Sequence, residues 1–313
     1  MIKSILTAVV FVFMTVLLTA AEHGGADAAA HAVEEHGLPA AAPQFQIGPL
    51  VFTNSMLVTW MVAAGLIVIS QVAMRRAQLI PAGLQNFIEW LVESLHGFLE
   101  GILGAELIKK SFWFFATLFI FILFTNWFGL IPGVGTIGYG HVNAQGHFHV
   151  SEPLLRGGNA DLNMTLAMSL TFFVLWTVWS LQALGAGGFL KHIFAGGGGG
   201  SGIAAIAMMG IFFFVGVIEV ISIAFRPVSL SFRLFGNIFA GENILESMMT
   251  LVPWLGWLLP LPFYFLELLV GLVQALVFTL LTSVFTALMA AHHADHGGGH
   301  DKAHAHGHAA HQH

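Results

Sequence analysis

Residues 229–242 read SLSFRLFGNIFAGE. Arg233 is a permanent cation far from any polar linker, inside an apolar run from about 203 to 250. That run exceeds the roughly 20 residues an upright helix needs to cross a bilayer. A tilted or interrupted helix is therefore expected, with Pro227 as its irregular point. A second long apolar stretch, about 256–291, follows after a divide near Pro253 and Trp254.

Upstream, three shorter apolar stretches have spanning length: about 50–74, 112–132 and 162–184. The chain of 313 residues is 57% hydrophobic and only 8% charged, against about 25% charged for a soluble domain. These features predict an all-α polytopic membrane protein with five transmembrane helices in the mature chain. The last two are long and tilted. Between the first two spans, Gln85, Glu89, Glu93, His96 and Glu100 share one helical face, with Leu84, Phe87, Ile88, Leu91, Leu95, Phe98 and Ile102 on the other. This predicts an amphipathic surface helix over 82–104. Its acidic polar face favours packing on protein over adhesion to anionic lipid.

The N-terminus combines Lys3, an apolar run from Ile5 to Leu18, and small residues at 19–21. This is a signal-peptide pattern over 1–21; the alternative is an uncleaved first helix. The remaining division is a polar extracytoplasmic lead-in over 22–48, a membrane domain over 49–291 and a His-rich tail over 292–313. With the lead-in outside, Arg75, Arg76, Lys109, Lys110, Lys191 and Lys302 fall on the cytoplasmic side and only Arg156 outside. This satisfies the positive-inside rule and puts the C-terminus in the cytoplasm. A net charge of −6 with ten dispersed basic residues argues against a nucleic-acid partner. Without cysteine, disulfides and thiolate chemistry are excluded.

The first three spans carry no charge, whereas the last two stretches hold Glu219, Arg226, Arg233, Glu242, Glu246 and Glu267. A charge at the bilayer centre costs at least ~2.5–3.5 kcal/mol and marks an ion or proton path when it faces a cavity. At ~1.5 Å rise per residue, Glu219 lies ~21 Å before Arg233 and Glu242 ~13 Å after it. Two titratable acids thus flank a cation that does not titrate. Arg226 beside Pro227 reads as a boundary residue that snorkels, and Glu246 as a boundary residue too. Glu267 and Gln274, seven apart, share a face. An antiparallel last helix brings Glu267 to the level of Glu242, and Gln274 to that of Arg233. The constellation suits proton passage; its alternative is a set of buried structural ion pairs.

SLSFRLFGNIFAGE resembles the signature of subunit a of F-type ATP synthases. FTNWFGLIPG, ADLNMTLAMSL, RPVSLSFRLFGN and GLVQALVFTLLTSVF are similar to the family as well, so the resemblance covers roughly 45–291. It implies a stator subunit facing the rotating c-subunit ring, held with peripheral-stalk b subunits in a bacterial inner membrane. It implies no cofactor and no catalytic residue, since catalysis belongs to the soluble head. Arg233 matches the essential arginine, and Asn237 and Gln274 match polar residues beside it. Glu242 and Glu267 match the titratable pair of the outer half-channel, close enough to share a proton. Many relatives carry histidine at the second position. Asp161 and Asn163 match the outer mouth, Glu219 and Ser222 the inner half-channel, and Asn126 a polar position ending the second span.

Two rival readings arise from the residues. TIGYG at 136–140 is similar to a potassium-channel filter, which needs carbonyls on a re-entrant loop. The tail HHADHGGGHDKAHAHGHAAHQH suggests metal handling, with His292, His293 and His296 as candidate ligands. Its plainer reading is a disordered cytoplasmic tail.

Overall fold

The structure is a computed structural model. It describes residues 44–305 except 48–49, 76, 132–133, 136, 143–147, 195–202, 252–254 and 257. The expected signal peptide and most of the lead-in lie outside the described residues. Among the described residues, five helices are long and apolar enough to cross a membrane, over Asn54–Met74, Ala105–Gly129, Leu162–Gln182, Met208–Met249 and Leu261–Leu288. The all-α polytopic membrane architecture read from the sequence is therefore the one found.

The boundaries differ in instructive ways. Strand β1 (Gln44–Ile47) pairs antiparallel with β2 (Leu50–Thr53), so the first span begins only at α1, Asn54–Met74. Thr53 sets that start, because its side chain accepts from the Met56 N–H at 3.2 Å as an N-cap. The surface helix α2 covers Leu84–Leu103. Gly104, at φ 76, separates it from α3, Ala105–Gly129. The second span thus starts seven residues earlier than its apolar content suggests, with Lys109 and Lys110 inside the helix.

Among the described residues, 137–140 form no filter loop. Strand β3 (Gly138–Val142) pairs antiparallel with β4 (Phe148–Pro153) in a hairpin. Carbonyls engaged in a ladder do not line a pore. A 3-10 turn, Gly158–Ala160, leads into α4, Leu162–Phe194. α4 kinks at Gly185 (φ 69) and resumes, where the sequence reading has a loop from 185. α5, Ile203–Leu251, stays helical through Pro227 rather than being interrupted there. A proline removes one backbone bond, and neighbouring groups in a membrane helix compensate. The 42-residue span within α5 measures about 63 Å, twice the hydrocarbon thickness, so it cannot stand upright. α6, Leu261–Ala305, carries helix beyond the apolar stretch into the segment read as a disordered tail.

The helices pack around α3, which contacts α1, α2 and α6, while α5 packs chiefly on α4. The core joins Phe114, Phe115, Phe119 and Ile122 of α3 to Phe172 and Trp176 of α4. Leu230, Leu234 and Ile238 of α5 and Ala275 and Phe278 of α6 complete it. Helix association in lipid relies on close packing and interhelical hydrogen bonds. Thr165 of α4 and Ser231 of α5 share such a bond at 2.9 Å. On α2, Leu95, Leu99 and Leu103 are buried while Phe87, Trp90 and Phe98 remain exposed.

Candidate functional site

α5 and α6 present their polar residues in the register expected. Asn237 Nδ2 donates to Gln274 Oε1 at 2.8 Å, one turn from Arg233. One further turn along, Gly241 faces Glu267, whose carboxylate occupies the space a Cβ at Gly241 would need. Only glycine permits that approach. Glu267 is buried at 7% exposure, and its Oε1 has no hydrogen-bond partner among the described residues. A buried carboxylate oxygen without a donor is a place for a proton or a water. Glu242 and Glu267 line one small gap together with Asn126, Gly129, Leu130 and Ile238.

Asn126 closes the opposite wall of this gap. Its Nδ2 donates to the Gly271 carbonyl of α6 at 3.0 Å, and its Oδ1 accepts from Asn159 Nδ2 at 2.6 Å. Trp127 Nε1 donates to the Leu268 carbonyl at 3.1 Å, pinning α3 to α6 on both sides of the polar position. Asp161 is buried. It accepts from the Asn163 N–H at 2.9 Å and from Thr53 Oγ1 at 3.3 Å, so it caps α4 and ties it to α1. Asn163 itself is exposed.

Arg233 is exposed on α5, and no hydrogen bond or ion pair to it occurs among the described residues. Asn237 and Ser222 are exposed on the same helix. At the far end, Glu219 pairs with Arg226 at 3.4 Å. Arg226 does not snorkel outward. Its guanidinium carbon lies 4.4 Å from the Phe285 ring centroid and 5.7 Å from that of Trp176. A cation over aromatic faces is held by the ring quadrupoles.

One residue of this site escaped the sequence reading, which used Arg156 only to count flanking charges. Arg156 is fully buried and pairs through Nε with Glu242 Oε2 at 3.5 Å. A usable signal existed: Glu242 is a buried-helix acid needing a cation, and Arg156 adjoins two glycines in RGGNADLN. Among the described residues there is no group of three side chains suited to a metal, and the side chains of His292, His293 and His296 lie outside them.

A family profile described as ATP synthase A chain matches residues 56–287. The chain belongs to this family. ATP synthase subunit a of Gloeobacter violaceus is 34% identical over 74% of this chain and 82% of its own length. The Moorella thermoacetica subunit a is 30% identical over 74% and 88%, and that of Citrifermentans bemidjiense 34% over 71% and 81%. As an ATP synthase A chain, the protein is a non-catalytic, proton-translocating membrane subunit of that complex.

Proposed function

We propose that Arg233 is the fixed cation that meets the ionised carboxylate of each passing c subunit. It separates two half-channels so that protons cross only by riding the ring. The observation that carries this reading is the exposure of Arg233 on a spanning helix without a partner among the described residues. Such a charge is too costly to face lipid, and a carboxylate on a neighbouring subunit removes the cost. Glu242 and Glu267, with Asn126 opposite, form the protonatable end of the half-channel open to the extracytoplasmic side. Asp161 and Asn163 stand at its mouth. Glu219 and Ser222 belong to the half-channel open to the cytoplasm. Asn237 and Gln274 hold the two helices in register beside Arg233.

The distribution of lysine and arginine supports a bacterial inner-membrane protein with its C-terminus in the cytoplasm and its mature N-terminus outside. The c-ring and the peripheral-stalk b subunits are the partners this stator role requires. The domain division into signal peptide, lead-in, membrane domain and tail is part of the same proposal.

Arginine remains protonated where lysine can release its proton and relay it. Arg233→Lys in the assembled complex is therefore expected to reduce proton-driven ATP synthesis in membrane vesicles to background. The quantity of assembled complex should stay near wild type. Normal synthesis by that variant would overturn the assignment.

A further inference from the structure

The segment that precedes α4 lies against Glu242, one of the two acids lining the polar gap. This segment is rigidly held. The Gly135 N–H donates to the Leu155 carbonyl at 2.8 Å, and Asn159 donates to Asn126 at 2.6 Å. Asn159 and Ala160 are fully buried, and Asp161 caps α4. Arg156 is thus presented by a fixed backbone, not a swinging loop.

Two contacts converge at its end. Arg156 Nε lies 3.5 Å from Glu242 Oε2, and its guanidinium carbon lies 5.7 Å from the centroid of the Phe239 ring. Phe239 is itself stacked on Phe235, centroids 5.4 Å apart at 13°, which fixes the face it offers. The Gly157 backbone lies against the same Glu242 carboxylate. A Cβ at Gly157 would lie 2.7 Å from Glu242 Oε1 and would displace it. Glu242 is therefore flanked by a guanidinium, as an ion pair without a hydrogen bond between Nε and Oε2, and by the Gly157 backbone, with its side chain only 13% exposed.

A fully buried arginine is expensive unless paired, and removing one partner of such a pair leaves an uncompensated charge. Structural economy alone would favour apolar residues at both positions. We propose that Arg156 is a positioning residue for proton transfer: with the Gly157 backbone it clamps the Glu242 carboxylate in one orientation toward the gap shared with Glu267. Among the described residues no donor meets Glu267 Oε1, so the two acids differ in their partners. One is held, and the other is left to take and pass a proton. Arg156 cannot relay the proton itself. This makes it a second fixed cation, buried where Arg233 is exposed. The proposal rests on the reading of Glu242 as part of the proton path.

The test uses the assembled ATP synthase in membrane vesicles, carrying R156K, R156Q, G157A or R233K. Proton-driven ATP synthesis is normalised to assembled complex, and passive proton flow is measured after the soluble head is stripped. R156Q is expected to lose more than tenfold in both, and G157A several-fold with both charges still present. R156K, which keeps the cation, should recover several-fold over R156Q. Wild-type rates in R156Q or G157A would overturn the clamp, as would equal losses in R156K and R156Q. Should R156Q fail to assemble, R156Q/E242Q is expected to assemble, because no lone charge remains. Failure of that double variant would reduce Arg156 to scaffolding and overturn the proposal. Background synthesis in R233K beside normal synthesis in R156Q would refute the clamp alone. Normal synthesis in R233K would refute the underlying reading of the path.

Discussion

The two ends of α5 are built on opposite plans. At the Glu242 end the helix is wrapped by its own chain. Ile238 and Leu245 are buried, Gly241 lies against Glu267, and Glu242 lies against Arg156. At the Glu219 end the helix is bare. Ile211, Phe213, Phe214, Val215 and Ile218 are exposed, and the Glu219 side chain is nearly half exposed at 46%. Arg233 stands between the two, exposed and without a partner among the described residues. The difference teaches that one acid is enclosed by this subunit, while the other keeps only a partly exposed ion pair with Arg226.

After Arg233 itself, the sharpest challenge to this contrast is Gly241→Ala. The added methyl would occupy the space of the Glu267 carboxylate, and overpacking costs ~1–3 kcal/mol. Synthesis per assembled complex is expected to fall about tenfold or more. A wild-type rate would show that Glu267 has room to move and that this end is not tightly wrapped.

A smaller effect is expected one turn closer to Arg233. The Asn237–Gln274 bond is 2.8 Å long and joins α5 to α6. A single hydrogen bond contributes a net ~0.5–1.5 kcal/mol, so Asn237→Ala and Gln274→Ala should each slow synthesis about two- to tenfold. Because the two side chains act as a unit, the double variant should be no slower than the worse single one. Losses that multiply would separate their roles and break the inferred coupling.

The register tested by these variants was readable from spacing. Glu267 and Gln274 are two helical turns apart, and an antiparallel partner helix then meets Gly241 and Asn237. Arg156 was not readable in the same way. It lies in irregular backbone with no period to place its side chain, and Glu242 is 86 positions later in the chain (242 − 156). The helix boundaries failed for a different reason. Leu50–Thr53 is as apolar as the helix it precedes, and a short apolar run does not distinguish strand from helix. Beyond Gly185 the glycines suggested a loop, yet α4 resumes after a single left-handed residue. One positive-φ glycine is enough to kink a helix without ending it, because the backbone bonds re-form in the next turn.

The smallest effect is expected at the bare end, and it decides how far the contrast reaches. Glu219 and Arg226 are seven residues apart on one helix and pair at 3.4 Å, with side chains 46% and 23% exposed. A partly exposed pair contributes about 0–1 kcal/mol. Arg226 keeps its aromatic contacts with Phe285 and Trp176 even when the acid is neutralised. Glu219→Gln should therefore slow synthesis no more than about fivefold, with ATP-driven proton pumping affected to the same degree. A loss as large as that of Gly241→Ala would mean that Glu219 is wired as strictly as Glu242. A constraint beyond the Arg226 pair would then be at work, and a second-site charge on the c subunit proposed to meet Arg233 should restore the rate.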